Sequence, residues 1–350
     1  MSTDRSDIAA ALADATAIVD VRSPGEYAKG HIAGAVNIPL FSNAERGDIG
    51  TLYKQVGQQQ AIRHGLEVLG GRLAAFVDAF TPHHGQAVLV YCARGGMRSK
   101  AVVSLLDSLG HNVTRLAGGY KAFRNHVLAE LERLVPPTPL ILHGCTGVGK
   151  TQLLEQLSNA LDLEALAQHR SSLFGAVGLT PRTQQQFEAE LLARLVELDF
   201  SQPVWVEGES RKVGDAILPA ALRDVIRTGT AVLITASMAT RVQRIIAEYS
   251  RDDPAILAAL DEALHSLIPH LGRQRVHTLS DALHAGDLEF VVQTLLEEHY
   301  DPRYLHAMRG YRYTLEVNSD DLDDAIAQLR AFAATQGAPA ADAPRRHGLA

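Results

Sequence analysis

Cys92 stands where the apolar run Ala87-Val88-Leu89-Val90 gives way to the segment Tyr91-Cys92-Ala93-Arg94-Gly95-Gly96-Met97-Arg98-Ser99. A helix-like stretch, Lys100 to Leu106, follows it. A strand ending in a turn that opens a helix aims several backbone N–H groups and the positive helix end at one spot. A thiol held there ionises more readily than a free cysteine at about 8.5, and Arg94 and Arg98 add positive charge beside it. The chemistry open to such a spot is nucleophilic: an anion-facing thiolate that accepts and carries a transferred atom. Cys92 is therefore the candidate catalytic residue, with Arg94, Gly95, Gly96 and Arg98 as its anion cradle.

A second candidate lies in Gly144-Cys145-Thr146-Gly147-Val148-Gly149-Lys150-Thr151, between the apolar run Leu140-Ile141-Leu142-His143 and a helical segment from Gln152 to Leu161. It fits G-x-x-x-x-G-K-[ST] in the strand–loop–helix context that motif requires. Its glycines let the backbone curl with N–H groups inward around a phosphate, Lys150 supplies a point charge, and Thr151 can hold a metal-bound water or a phosphate oxygen. Gly144, Gly147, Gly149, Lys150 and Thr151 are the diphosphate-binding candidates. The motif selects a di- or triphosphate without naming a nucleotide, and Cys145 reads as a small loop residue. Glu207 and Glu209, after the strand Val204-Trp205-Val206, could position Mg²⁺ or a water, or cap the next helix and pair with Arg211. Arg170 is a further supporting candidate. Arg241 and Arg244 read as solvent-facing helix residues, and no residue is assigned as a metal ligand.

The elements that must position these loops alternate strand and helix, which implies mostly parallel sheets with ligands at the carboxyl ends of the strands. A helix over 8–14 leads into the strand Ala17-Ile18-Val19. The stretch Gly30 to Pro39 reads as a strand bracketed by glycines, and 58–80 carries apolar residues at helical spacing. A strand at Asn112–Leu116 then precedes Gly118-Gly119 and a helix to about Leu134. Three prolines in Pro136-Pro137-Thr138-Pro139 favour a stiff, extended connection. The expected organisation is a domain over 7–134, a linker over 135–139, a phosphate-loop domain with a helical extension over 140–336, and an Ala/Pro-rich disordered tail over 337–350. In the second half, Arg273-Gln274-Arg275 reads as a basic turn, Tyr300-Asp301-Pro302 as the turn that ends the helical part, and Ser319 as the cap of the last helix.

At 350 residues two domains are expected. Two cysteines cannot build a disulfide framework, which points to a reducing cytosol. The N-terminus has no basic-then-apolar signal pattern, and no apolar run reaches membrane-spanning length. The net charge of −7 hides an asymmetry. Residues 1–135 carry 14 basic and 12 acidic side chains, leaving 33 − 14 = 19 against 40 − 12 = 28 in the remainder. A nucleic-acid partner would thus have to meet a local basic face.

Asp20-Val21-Arg22-Ser23-Pro24-Gly25-Glu26-Tyr27, Gly30-His31-Ile32-Ala33-Gly34-Ala35-Val36-Asn37-Ile38-Pro39 and the Cys92 loop together resemble a rhodanese domain. That resemblance implies a persulfide- or perselenide-carrying cysteine, while Asp20, Arg22, Glu26 and His31 read as residues holding turns and buried polar contacts. Cys92 to Arg98 is also the Cys-x5-Arg spacing of cysteine phosphatases. Those enzymes usually carry His before the cysteine, where Tyr91 stands, and no Asp is placed as a general acid. A rhodanese-like half joined to a phosphate-loop half resembles the tRNA 2-selenouridine synthase family. The likeness rests on the two loops, His169-Arg170 with Phe174-Gly175, Glu207 with Glu209-Ser210-Arg211, Leu271-Gly272, and Tyr300-Asp301-Pro302. Ala93 stands where the family's Trp is expected, and Ser171 where Gly is expected.

The resemblance implies an α/β fold: an N-terminal rhodanese-like parallel-sheet domain, then a P-loop NTPase-like α/β domain with a helical C-terminal extension. It implies a cytoplasmic transferase acting on tRNA that bears 2-thiouridine at the wobble position, with a selenophosphate supplier as a further partner and no membrane. In its first step the thiouridine sulfur attacks geranyl diphosphate, and in the second selenium from selenophosphate replaces the geranylated sulfur. Geranyl diphosphate and selenophosphate are then substrates, no cofactor is tightly bound, and Mg²⁺ is compatible with the loop. Arg94, Arg98, Lys100, Arg115, Lys121 and Arg124, with Arg273 and Arg275, are the expected RNA-facing residues. The alternative reading is a rhodanese-type sulfurtransferase coupled to an ATP-dependent phosphate-loop domain.

Overall fold

The computed structural model describes residues 4–170, 174–209, 211–249 and 254–337. The expected tail and Ser171 lie outside the described residues. Contacts divide the chain into two compact units, one over 4–130 with Glu188–Ala193, the other over Leu131–Phe187 and 194–337.

The first unit holds a parallel sheet of β1 (Asp4–Arg5), β2 (Ala17–Asp20), β3 (Val36–Asn37), β4 (Val88–Tyr91) and β5 (Val113–Leu116), in the order β1-β5-β4-β2-β3. Every residue of β4 is buried, as an apolar run covered on both faces requires. The strand sits centrally, between β2 and β5, over a core that includes Val19, Val88, Val90, Val103 and Leu106. Chain order reverses between β2 and β4, and such a switch point leaves a crevice at the carboxyl end, where Cys92 lies. The stretch 30–39 is a strand only at Val36–Asn37. Gly30 and Gly34 turn the backbone with φ of 152° and 73°, and the Tyr91 hydroxyl takes the Ile32 N–H at 3.1 Å. The helical stretch 58–80 is two helices, Gln58–Gly70 and Leu73–Asp78, broken at Gly71-Arg72. A further helix that the apolar spacing does not announce, Asn43–Gln55, is set by a capping box of Ser42 and Glu45.

The second unit holds β6 (Pro139–His143), β7 (Ala160–Leu161), β8 (Val204–Glu207), a short antiparallel pair β9 (Lys212–Val213) and β10 (Ala216–Ile217), then β11 (Thr230–Thr235) and β12 (Leu315–Asn318). The main sheet is parallel in the order β12-β11-β6-β8-β7. β6 is central, and the chain places β7 and β8 on one side of it and β11 and β12 on the other. The crevice at its carboxyl end is where the phosphate loop begins. The helices Met238–Tyr249, Pro254–His265, Arg273–His284 and Leu288–Leu295 pack a second apolar cluster around Val242, Leu264, Leu279 and Leu295. Three elements differ from expectation. Arg273 to Arg275 open a helix capped by Gly272 and do not form a turn. The helical part does not end at Tyr300: a wide turn, Leu296–Tyr300, passes into the helix Asp301–Met308, whose Pro302 sits in the first turn, where its missing N–H costs nothing. The last helix, Leu322–Thr335, is capped by Asp321 and not by Ser319.

Candidate active site

Cys92 leaves β4 buried, at 3% exposure, with Sγ 3.2 Å from the Ser99 hydroxyl. Burial pushes the thiol up, but hydrogen bonds from the Ser99 hydroxyl and from the N–H groups of Ser99 and Arg94, with the charge of Arg98, outweigh it and hold the thiol below its ordinary value. The loop is shaped by tying its carbonyls outward. Tyr120 N–H takes the Cys92 carbonyl at 2.9 Å, Lys121 N–H takes that of Ala93 at 3.0 Å, and Arg115 takes that of Gly95 at 2.7 Å. Gly119 makes this approach possible: a Cβ there would lie 2.2 Å from the Cys92 carbonyl oxygen. Arg94 is exposed, and Gly95 has the left-handed φ of 59° that the turn needs. Gly96 caps the helix Met97–Ser108 without a side-chain bond.

Arg98 is not a free cradle residue. Its guanidinium is held by Glu26 at 2.7 and 3.3 Å; burial pushes the Glu26 carboxyl up, but Arg98, the Ser23 N–H and Arg46 outweigh it and hold the carboxyl low, at about 2. Among the expected RNA-facing cations, Arg115 is likewise paired with Asp4, Arg124 with Glu188 and Arg275 with Glu298. Asp20 and Arg22 form a buried bidentate pair, and Arg22 lies over the Tyr120 ring with its guanidinium carbon 3.9 Å from the centroid.

In the second unit Gly147 and Gly149 adopt φ of 81° and 86°, and Lys150 opens the helix Lys150–Gln156 with Nζ 3.1 Å from the Gly144 carbonyl. Burial depresses the Lys150 ammonium, but Tyr304, Glu207, Glu164 and Glu209 prevail and raise it. Arg241 and Arg244 do not face solvent. Arg241 donates to the Thr146 carbonyl at 2.9 Å and grips Asp301 with both terminal nitrogens at 2.9 and 2.6 Å. Arg244 donates to the Val148 carbonyl at 3.0 Å and to the Ser319 carbonyl. Ser319, released from capping, gives its hydroxyl to the Val148 carbonyl at 2.6 Å. These contacts hold loop carbonyls outward, which leaves the intervening N–H groups to face a ligand.

Glu207, fully buried at the end of β8, neither pairs with Arg211 nor caps the following helix. Its Oε2 accepts the N–H of Glu164, at the start of the helix Leu163–Ala167, at 3.1 Å. Its Oε1 is buried without a hydrogen-bond partner. Burial, followed by the charges of Glu164 and Glu209, raises the Glu207 carboxyl far above its ordinary value. Ligand oxygens of Glu164, Glu207 and Glu209 lie within 4.8 Å of one another. Arg170 donates to the Val177 carbonyl at 3.2 Å, pairs with Glu248, and lies 5.2 Å from the Tyr249 ring centroid. From the phosphate loop opens a cavity of about 1440 Å³ whose far walls include Ile245, Leu260, Leu264, Leu283, Val291 and Leu295. Those side chains sit at helical spacing and read as core from sequence, so the cavity between them left no local signal.

A family model for the tRNA 2-selenouridine synthase AAA domain matches residues 137–335, and one for the rhodanese-like domain matches 4–126. The chain belongs to the tRNA 2-selenouridine synthase family. Its similar relatives include tRNA 2-selenouridine synthases of Cronobacter sakazakii, 34% identical over 91% of this chain and 92% of the relative, and of Cupriavidus necator, 32% identical over 96% and 100%. The relative from Nitrosomonas europaea is 34% identical over 83% of this chain and 79% of its own length. Membership makes the chain a tRNA-modifying transferase. Among the described residues no helix is long and apolar enough to cross a membrane.

Proposed function

We propose that the chain converts 2-thiouridine at the tRNA wobble position to 2-selenouridine in two steps, with geranyl diphosphate and selenophosphate as substrates. The observation that carries the first step is the aliphatic cavity continuous with a phosphate loop. The loop N–H groups and Lys150 take the diphosphate, and the apolar walls take the ten-carbon chain, whose burial is favourable by about 0.8 kcal/mol per methylene. Attack of the thiouridine sulfur on C1 of the geranyl group forms an S–C bond and breaks the C1–O bond to diphosphate. The charge growing on the departing oxygen meets preset donors, the largest usual source of such catalysis. At about 1440 Å³ the cavity exceeds the roughly 300–1,000 Å³ of drug-sized pockets, which leaves room for a nucleobase beside the chain.

Glu164, Glu207 and Glu209 fit a hard cation such as Mg²⁺, since they supply oxygen donors of which one, Glu207 Oε1, has no other partner. Bound there, the ion would neutralise diphosphate charge. In the second step selenium from selenophosphate adds at C2 of the alkylated base, the C2–S bond breaks as geranylthiolate departs, water takes the phosphoryl group from selenium as phosphate, and Cys92 handles the incoming selenium within its loop. Protein incubated with geranyl diphosphate and tRNA bearing 2-thiouridine is expected to add one geranyl group, read by mass spectrometry of the digested tRNA. No such mass shift, together with robust ATP hydrolysis, would overturn the proposal.

A further inference from the structure

We propose that Tyr311 and Tyr313, backed by the buried His143 and flanked by Arg309 and Arg312, form the platform on which the RNA substrate's unpaired base stacks beside the phosphate loop. The inference rests on the RNA-modifying function above and adds the surface that receives the base. His143 is the last residue of β6, immediately before Gly144 of the phosphate loop. Its ring lies 4.2 Å from that of Tyr311, at an interplanar angle of 39°, and 5.8 Å from that of Tyr313. The two tyrosine rings are 6.4 Å apart and inclined by 32°.

These rings belong to a segment that joins the helix Asp301–Met308 to β12 and alternates cation with aromatic: Arg309-Gly310-Tyr311-Arg312-Tyr313. Tyr311 and Tyr313 are half-buried, while Arg309 and Arg312 are exposed and have no ion pair among the described residues. They differ in this from Arg241 and Arg275, which carboxylates hold. Exposed cations interleaved with half-open aromatic faces are the chemistry of single-stranded nucleic acid: rings stack on bases and arginines follow the phosphates. A duplex offers no free base face, so the ligand class is unpaired RNA. The net charge of the second half makes an island of free positive charge there all the more specific.

The platform is also fixed in place. A Cβ at Gly208 would lie 2.7 Å from His143 Nδ1 and 2.7 Å from the Leu142 carbonyl, so the imidazole packs where only glycine permits. His143 Nε2 is buried and lacks a hydrogen-bond partner, a cost that a folded core rarely leaves standing. Burial and the nearby Lys150 hold the imidazole neutral, with its pKa lowered to about 4. The ring is thus a neutral, buried backing against which Tyr311 packs. Chemistry on a base requires its removal from the helical stack, and a receiving plane beside the strand end that opens the loop would hold such a base.

The test measures binding of the full-length protein to an anticodon stem-loop with 2-thiouridine at the wobble position, without geranyl diphosphate. Tyr311→Leu is expected to weaken binding about tenfold or more while Tyr311→Phe stays within about twofold, because stacking needs the ring and not the hydroxyl. Arg309→Ala and Arg312→Ala should each lower the salt dependence by about one phosphate contact. As a check that does not depend on a variant's folding, 4-thiouridine at the wobble position of the RNA should photo-crosslink wild-type protein within 309–313. Wild-type affinity in folded Tyr311→Leu, or crosslinks confined to other segments, would overturn the platform. Because this binding needs no prenyl donor, absence of a geranylated product leaves the binding result standing. A Tyr311→Leu enzyme that geranylates normally and binds RNA normally would sink the platform alone.

Discussion

The Cys92 loop and the phosphate loop are built alike and differ in what they open onto. Each follows the central strand of a parallel sheet, and each has its carbonyls tied outward by donors from distant segments. Arg115 and the helix Gly119–Leu131 do this for the first loop, and Arg241, Arg244 and Ser319 do it for the second. The first encloses a nearly buried thiol, with Ser99 and two N–H groups close about it. The second opens onto a cavity of about 1440 Å³ with aliphatic side chains along part of its lining. One way of curling a backbone is thus used twice: a tight pocket stabilises one anionic atom, whereas the open one would, on the function proposed above, hold the diphosphate of a substrate whose greater part is hydrocarbon.

The two loops part most sharply in the charge each supplies. Lys150→Ala is expected to slow geranyl transfer about 100-fold or more, measured as product per tRNA, while selenation of tRNA already carrying S-geranyl-2-thiouridine changes little. The supports come next. Arg241→Ala leaves Asp301 unpaired in a largely buried position and should cost about 3–5 kcal/mol in denaturant unfolding of the second unit. Arg115→Ala breaks a pair whose Asp4 side is half exposed and one hydrogen bond to the Gly95 carbonyl, and should cost about 1–2 kcal/mol. Equal losses for the two would remove the distinction between the supports. Ser99→Ala removes a donor from the thiolate, so the midpoint of Cys92 alkylation against pH should move upward. In the wild type that midpoint is expected below that of an ordinary cysteine, because Ser99, the Arg94 N–H and Arg98 outweigh the burial that raises it. A smaller effect is expected for Ser319→Ala, where the hydroxyl's contacts with the Val148 and Thr235 carbonyls and with Arg244 are lost, at about 1–3 kcal/mol in thermal unfolding.

Both loops are legible in the sequence because their signals are local: an apolar strand, glycines and a charged or nucleophilic residue within ten positions. The supports are not. Arg241 and Arg244 meet carbonyls 95 and 96 residues away, and Ser319 meets one 171 residues away. A helix register alone cannot distinguish such residues from solvent-facing ones. Tyr300-Asp301-Pro302 reads as a stop because proline ends helices, yet proline also begins them, and here it occupies the first turn. Gly30 to Pro39 reads as a strand from its apolar residues, but the two glycines at positive φ leave only Val36–Asn37 in the sheet. The capping box at Ser42 and Glu45 is a readable signal for the helix over Asn43–Gln55.

The central claim is that alkylation belongs to the phosphate loop and the incoming selenium to Cys92. Its most direct test is Cys92→Ser protein assayed separately for the two steps by mass spectrometry of digested tRNA. Geranylation with geranyl diphosphate is expected to proceed within a few-fold of wild type while no selenouridine forms from selenophosphate. Loss of both steps in a Cys92→Ser protein that melts like the wild type would contradict the claim.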